Sequence, residues 1–186
     1  MLLCRVLRSL EQFAAGVEID LHKSETVQFI RQSFAVVLVD IIADDFQGQT
    51  FNVIKEEVTN ITSDVVNTKW SMMVTNGSEE DAMDDSVATI HIPKQSLTEC
   101  AYKDATPHRI AYFAFFKNSL FQVVSQKQRI ASLITAARLN CSINEFSTPI
   151  GIMLSLVGND SQEVSGSVLA NDPCQSLLHI ATFKYA

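Results

Sequence analysis

Apolar side chains at Leu3, Val6, Leu7, Leu10, Phe13, Ala14 and Val17 recur at intervals of three and four, which predicts one amphipathic helix over residues 2–17. Arg5, Arg8, Glu11 and Gln12 lie off that stripe, and Gly16 suits the helix end. Such a helix must bury its apolar face on another part of the protein. After residue 24 the pattern changes. Residues 26–30 are β-branched and aromatic, and 34–39 are apolar at every position, which predicts a strand covered on both faces. Asp40 interrupts one of those faces. Asp44-Asp45 and Gly48 mark a turn, and 51–54 reads as a short strand.

Residues 55–87 read as a polar connection, with an acidic cluster at Glu79, Glu80, Asp81, Asp84 and Asp85 and a tight-turn signal at Asn76-Gly77. The carboxylates match no calcium-binding loop spacing, so a solvated acidic loop is the plainer reading. Ala88, Ile90 and Ile92 alternate with Thr89 and His91, which predicts a half-buried strand with His91 toward solvent. Pro93 ends it, because proline cannot donate to a ladder. Residues 110–116 form an aromatic strand. Residues 129–139 fit helix and strand spacing equally. Residues 150–156 and 177–185 read as strands, separated by a polar stretch at 157–175. One helix followed by seven or eight strands predicts a mainly β protein: a twisted β-sandwich with one N-terminal amphipathic α-helix.

Composition narrows the function. A hydrophobic share of 47% excludes a disordered chain, and a net charge of −7 argues against a nucleic-acid partner. Arg5, Arg8 and Glu11 break the N-terminal apolar stretch, so no signal peptide is read there. The longest apolar run, 34–39, falls far short of the roughly 20 residues that span a bilayer. The sequence alone therefore carries neither leader nor span. The four cysteines, Cys4, Cys100, Cys141 and Cys174, form no CxxC pair, and their pairing stays open.

His22, His91, His108 and His179 show no metal-binding spacing, and neither a nucleophile elbow nor a phosphate loop is present. No catalytic, metal or cofactor site is expected. Phe113, Phe115, Phe116 and Phe121 read as core. Four of the nine asparagines, Asn60, Asn76, Asn140 and Asn159, stand in Asn-x-Ser/Thr sequons, which points toward an extracellular glycoprotein.

The order of segments resembles the GAIN domain of adhesion G-protein-coupled receptors. Leu7-Arg-Ser-Leu-Glu-Gln-Phe-Ala14 is similar to the last helix of that family's helical subdomain. Phe46-Gln-Gly-Gln-Thr-Phe51 and Ala88-Thr-Ile-His-Ile-Pro-Lys-Gln-Ser-Leu97 are similar to strands of its sandwich. So are Arg109-Ile-Ala-Tyr-Phe-Ala-Phe-Phe-Lys-Asn-Ser-Leu-Phe121 and Ala136-Ala-Arg-Leu-Asn-Cys-Ser-Ile143. The resemblance implies that residues 1–20 are the last helix of the helical subdomain. Residues 21–186 are then a GAIN-like β-sandwich, with 157–186 a divergent tail or final strand.

It further implies a non-catalytic extracellular structural module at the plasma membrane, scaffolding the stalk and tethered-agonist strand in signalling. Its partners are then the rest of the receptor, including the seven-helix domain, and an extracellular protein ligand. The family's proteolysis motif, with its cysteines and tryptophan, is absent: the single Trp70 lies far upstream. His179 and Thr182 offer a base and a hydroxyl, but Ile180-Ala181 stands where the family has one Leu. A self-cleaving domain using His179 and Thr182 is the alternative, as is an isolated binding module with an open sheet edge.

Overall fold

The computed structural model describes residues 2–18, 26–42, 46–59, 66–77, 85–98, 108–117, 129–130, 133–139, 150–155, 164–169 and 179–185. Helix α1 (Leu2–Gly16) comes first, followed by β1 (Thr26–Ile30), β2 (Phe34–Ile41), β3 (Gln49–Thr59), β4 (Val66–Asn76) and β5 (Ser86–Ile92). After the short helix α2 (Gln95–Thr98) come β6 (His108–Phe115), β7 (Arg129–Ile130) and β8 (Ile134–Leu139). The chain continues with β9 (Gly151–Leu154), β10 (Val164–Leu169) and β11 (His179–Tyr185). The protein is mainly β, as its hydrophobic pattern predicts.

The strands form two antiparallel sheets. One has the order β1-β2-β6-β8-β11-β10, with β7 also pairing β11; the other has the order β4-β3-β5-β9. Between them lies the main core. It is built from alternate residues such as Val37 and Val39 of β2, Tyr112 of β6, Phe51 and Val53 of β3 and Ile90 of β5. Phe51 and Tyr112 stack across the gap with ring centroids 4.7 Å apart. The intervening residues of β2 and β6, among them Val36, Leu38, Phe113 and Phe115, form a second core on the opposite face with Ala14 of α1. The unbroken apolar run of β2 thus has its expected cause: the strand is covered on both sides.

The edges are closed by side chains. Trp70 of β4 stacks on Phe116 at 4.5 Å, and Gln28 Nε2 of β1 donates to the Met72 carbonyl of β4. Charged pairs, Lys55–Glu57 and Lys69–Glu56, line the exposed ends of β3 and β4, where charge discourages edge-to-edge pairing.

Several expectations are corrected. The stretch 55–87 is not one polar connection, because β3 continues to Thr59 and β4 fills Val66–Asn76. Its residues Trp70, Met72 and Val74 alternate toward the core, and its polar positions belong to the edge. Asn76-Gly77 does not close a hairpin between neighbours, since β4 and β5 lie on opposite sides of β3. Instead, Gly77 N donates to the Gly48 carbonyl, 3.0 Å away. His91 does not face solvent: it is 9% exposed, and its Nδ1 lies 3.0 Å from Thr50 Oγ1. Residues 134–139 resolve as strand, and the polar stretch 157–175 contains β10.

Gly48 has φ +101°, and a Cβ there would meet the Gly77 carbonyl at 2.7 Å. Gly48→Ala is therefore expected to destabilise the fold by about 1–3 kcal/mol through left-handed strain, plus the clash. A lowered urea midpoint with an unchanged slope would show it.

Candidate functional site

Arg109, the second residue of β6, faces Asp40 directly across the β2–β6 ladder. Its Nε donates to Asp40 Oδ1 at 2.8 Å and its Nη2 to Oδ2 at 3.0 Å, a bidentate pair. Its Nη1 reaches the other way and donates to the carbonyls of Ala14 and Val17, both at 2.7 Å. These carbonyls lie at the C-terminal end of α1, where acceptors lack helical partners and the helix dipole is negative. The last turn of α1 holds no basic residue of its own. The sheet supplies that cation instead, so one guanidinium binds helix and sandwich together.

A second tie lies one strand over. Arg138 of β8 pairs with Glu11 of α1, Nη1 to Oε2, at 2.9 Å. Glu11 is off the apolar stripe but only 5% exposed, so its position off the stripe did not make it a solvent residue. Phe13, on the stripe, is 44% exposed and meets Phe29 of β1 edge to face at 4.8 Å. Sequence reasoning missed Arg109. The signal was present: Asp40 and Arg109 are opposite charges, each breaking one face of an apolar strand.

Inside the sandwich, the Tyr112 hydroxyl donates to Gln49 Oε1 at 2.9 Å, and Gln49 Nε2 donates to Asn76 Oδ1 at 3.1 Å. Burial pushes the Tyr112 phenol well above its ordinary range. On the other face of the four-stranded sheet, Asn52 Oδ1 accepts from Thr89 Oγ1 at 2.9 Å and from Ser86 Oγ at 3.3 Å.

The remaining sequence candidates fall as follows. Asn76 is exposed at the end of β4, whereas Asn60, Asn140 and Asn159 lie outside the described residues. His179 pairs with Ala137 and Thr182 with Ser167, both from β11. They stand three positions apart on that strand. Phe113 and Phe115 are core, and Phe121 lies outside the described residues. Of the acidic cluster only Asp85 is described, and it is exposed. No helix among the described residues is long and apolar enough to cross a membrane.

The arrangement defines a β-sandwich module with a helix fastened to its outer face. No family model and no curated protein matches the chain. Among solved structures it is similar to the full extracellular region of zebrafish Gpr126/Adgrg6, with a TM-score of 0.60 and 13% identity. That likeness covers 98% of this chain and 25% of the receptor chain, so this sequence spans about a quarter of its length. At this identity the likeness is one of fold.

Two outcomes follow from the polar contacts. Asp40→Ala leaves Arg109 half-buried without its carboxylate and is expected to cost about 3–5 kcal/mol in urea unfolding. Replacing both residues together, Asp40→Leu with Arg109→Met, should recover most of that stability. The same double variant should still loosen the C-terminal turn of α1, whose Ala14 and Val17 carbonyls lose their donor, read as faster amide exchange in residues 14–18.

Tyr112 holds its proton in the folded state, while the unfolded side chain titrates near pH 10. Its stabilising contribution is full below that pH and is lost as pH rises through the higher folded value. Urea midpoints should therefore fall from about pH 9 to about pH 11, and Tyr112→Phe should flatten that fall.

Proposed function

We propose that this chain is a non-catalytic structural module on the extracellular side of an adhesion G-protein-coupled receptor. In this reading it is a GAIN-like sandwich that holds a C-terminal strand for the receptor's stalk. The observation that carries the reading is the place of β11. The last of the described strands does not lie at an edge; it is inserted between β8 and β10. Six register pairs join it to β10, three to β8 and two to β7. A strand bonded on both sides leaves only when two ladders break at once. That is the property needed in a module that retains a strand until force or a partner releases it. The fold likeness to a receptor's extracellular region supports the same reading.

The chain is then anchored at the plasma membrane through other parts of the receptor, with the seven-helix domain and an extracellular protein ligand as partners. In this reading the chain performs no self-cleavage, since Ile180-Ala181 stands where the family has one Leu and the cysteines and tryptophan of its proteolysis motif are missing. The open-edge alternative concerns other strands: β1 and β10 bound the large sheet and β4 and β9 the small one, while β11 is inserted between β8 and β10.

A chain cut after residue 178 tests the proposal. It is expected to lose cooperative urea unfolding and to aggregate, whereas the intact chain keeps one mass of 20.6 kDa plus any glycans on long incubation. Unchanged unfolding of the shortened chain would overturn the strand-holding role. A break in the intact chain just ahead of Thr182, abolished by His179→Ala, would establish the self-cleaving alternative.

A further inference from the structure

We infer that Asn76 carries an N-linked oligosaccharide that stands at the end of edge strand β4. The inference deepens the extracellular reading and rests on it. Asn76, Gly77 and Ser78 form one of the four sequons; Asn76 is exposed, and Ser78 lies outside the described residues. Its carboxamide oxygen accepts a hydrogen bond from the protein. The buried Tyr112 phenol donates to Gln49 Oε1, which directs Gln49 Nε2 toward Asn76 Oδ1. The backbone makes the same alignment, since Gln49 and Asn76 are register partners across the β3–β4 ladder. The carboxamide oxygen therefore points at the protein, and among the described residues Nδ2 has no hydrogen-bond partner.

Glycan transfer uses the atom left over. Nδ2 attacks the anomeric carbon of a lipid-diphosphate-linked oligosaccharide. A carbon–nitrogen bond forms, the bond from that carbon to the diphosphate oxygen breaks, and the lipid diphosphate leaves with the electron pair. Nδ2 gives up one proton to a base of the transferase. Oδ1 keeps its lone pairs, so the bond from Gln49 survives modification and the buried Tyr112–Gln49 contact is undisturbed. The neighbouring backbone is also held. Gly77 N is engaged with the Gly48 carbonyl, which keeps it from attacking the Asn76 side chain as Asn-Gly sequences otherwise do.

The site has a consequence for the fold. Among the described residues β4 is paired on one side only, by β3. A bulky, hydrated group at its end hinders a second chain from adding a strand there.

The test is expression of the full chain behind a secretion leader in animal cells. Enzymatic glycan release in heavy-oxygen water then marks each formerly occupied Asn as labelled Asp, and peptide mass spectrometry reads every sequon. Labelled Asp at position 76 is the expected result. Ser78→Ala should remove one glycan while leaving Asn76 and its bond to Gln49 in place. A secreted chain with glycans at other sequons and an unlabelled Asn76 would overturn this site and leave the receptor-module reading standing. A secreted chain with no glycan at any sequon would overturn both the site and the extracellular reading.

Discussion

Everything in this fold follows from two central strands that are apolar on both faces. β2 and β6 pair along eight residues, and neither face of that pair tolerates water. One face needs a second sheet, and the four-stranded sheet supplies it. The opposite face needs a separate cover, and α1 supplies that. Each buried side chain of Val, Leu, Ile or Phe size contributes on the order of 1.5–3 kcal/mol, so an uncovered face would forgo several such contributions. The helix is therefore part of the sandwich's core rather than an appendage.

That second cover creates an electrostatic problem at its end. The carbonyls closing α1 approach a sheet whose surface is apolar, and they need donors. Arg109 provides them and is itself neutralised by Asp40, so no member of the group is left charged and unpaired. Its planar, forked guanidinium can address a carboxylate and two carbonyls at once, which a lysine ammonium cannot do with the same geometry. Burying such a pair adds little net stability over apolar residues of the same shape. What it adds is position: the helix end is held at one place on the sheet.

Strand β11 brings the proposed role back to the same constraint. It extends the large sheet beyond β8 and is held by ladders on both sides. The polar chain from Tyr112 through Gln49 to Asn76 runs across the sandwich to the free end of β4. The Asn76 surface position is thus tied to the core.

Much of the architecture was legible in the order of residues, because period and apolar continuity report burial directly. The helix over 2–17, the doubly covered strand after Phe34 and the aromatic strand after Ile110 all carry strong local patterns. β4 escaped because an edge strand puts polar and charged residues on its open side, which masks the alternation of Trp70, Met72 and Val74. His91 misled for the opposite reason: alternation with Ile90 and Ile92 shows which side a residue faces, not whether that side is covered. The sequence by itself determined the periodicities, the placement of opposite charges on two apolar strands, and the sequons. Only the tertiary structure decided that Asp40 and Arg109 meet, that Glu11 is buried, and that β11 is inserted between β8 and β10. Those outcomes depend on which distant segments become neighbours, and pairing between residues as far apart as 40 and 109 leaves no trace in local spacing.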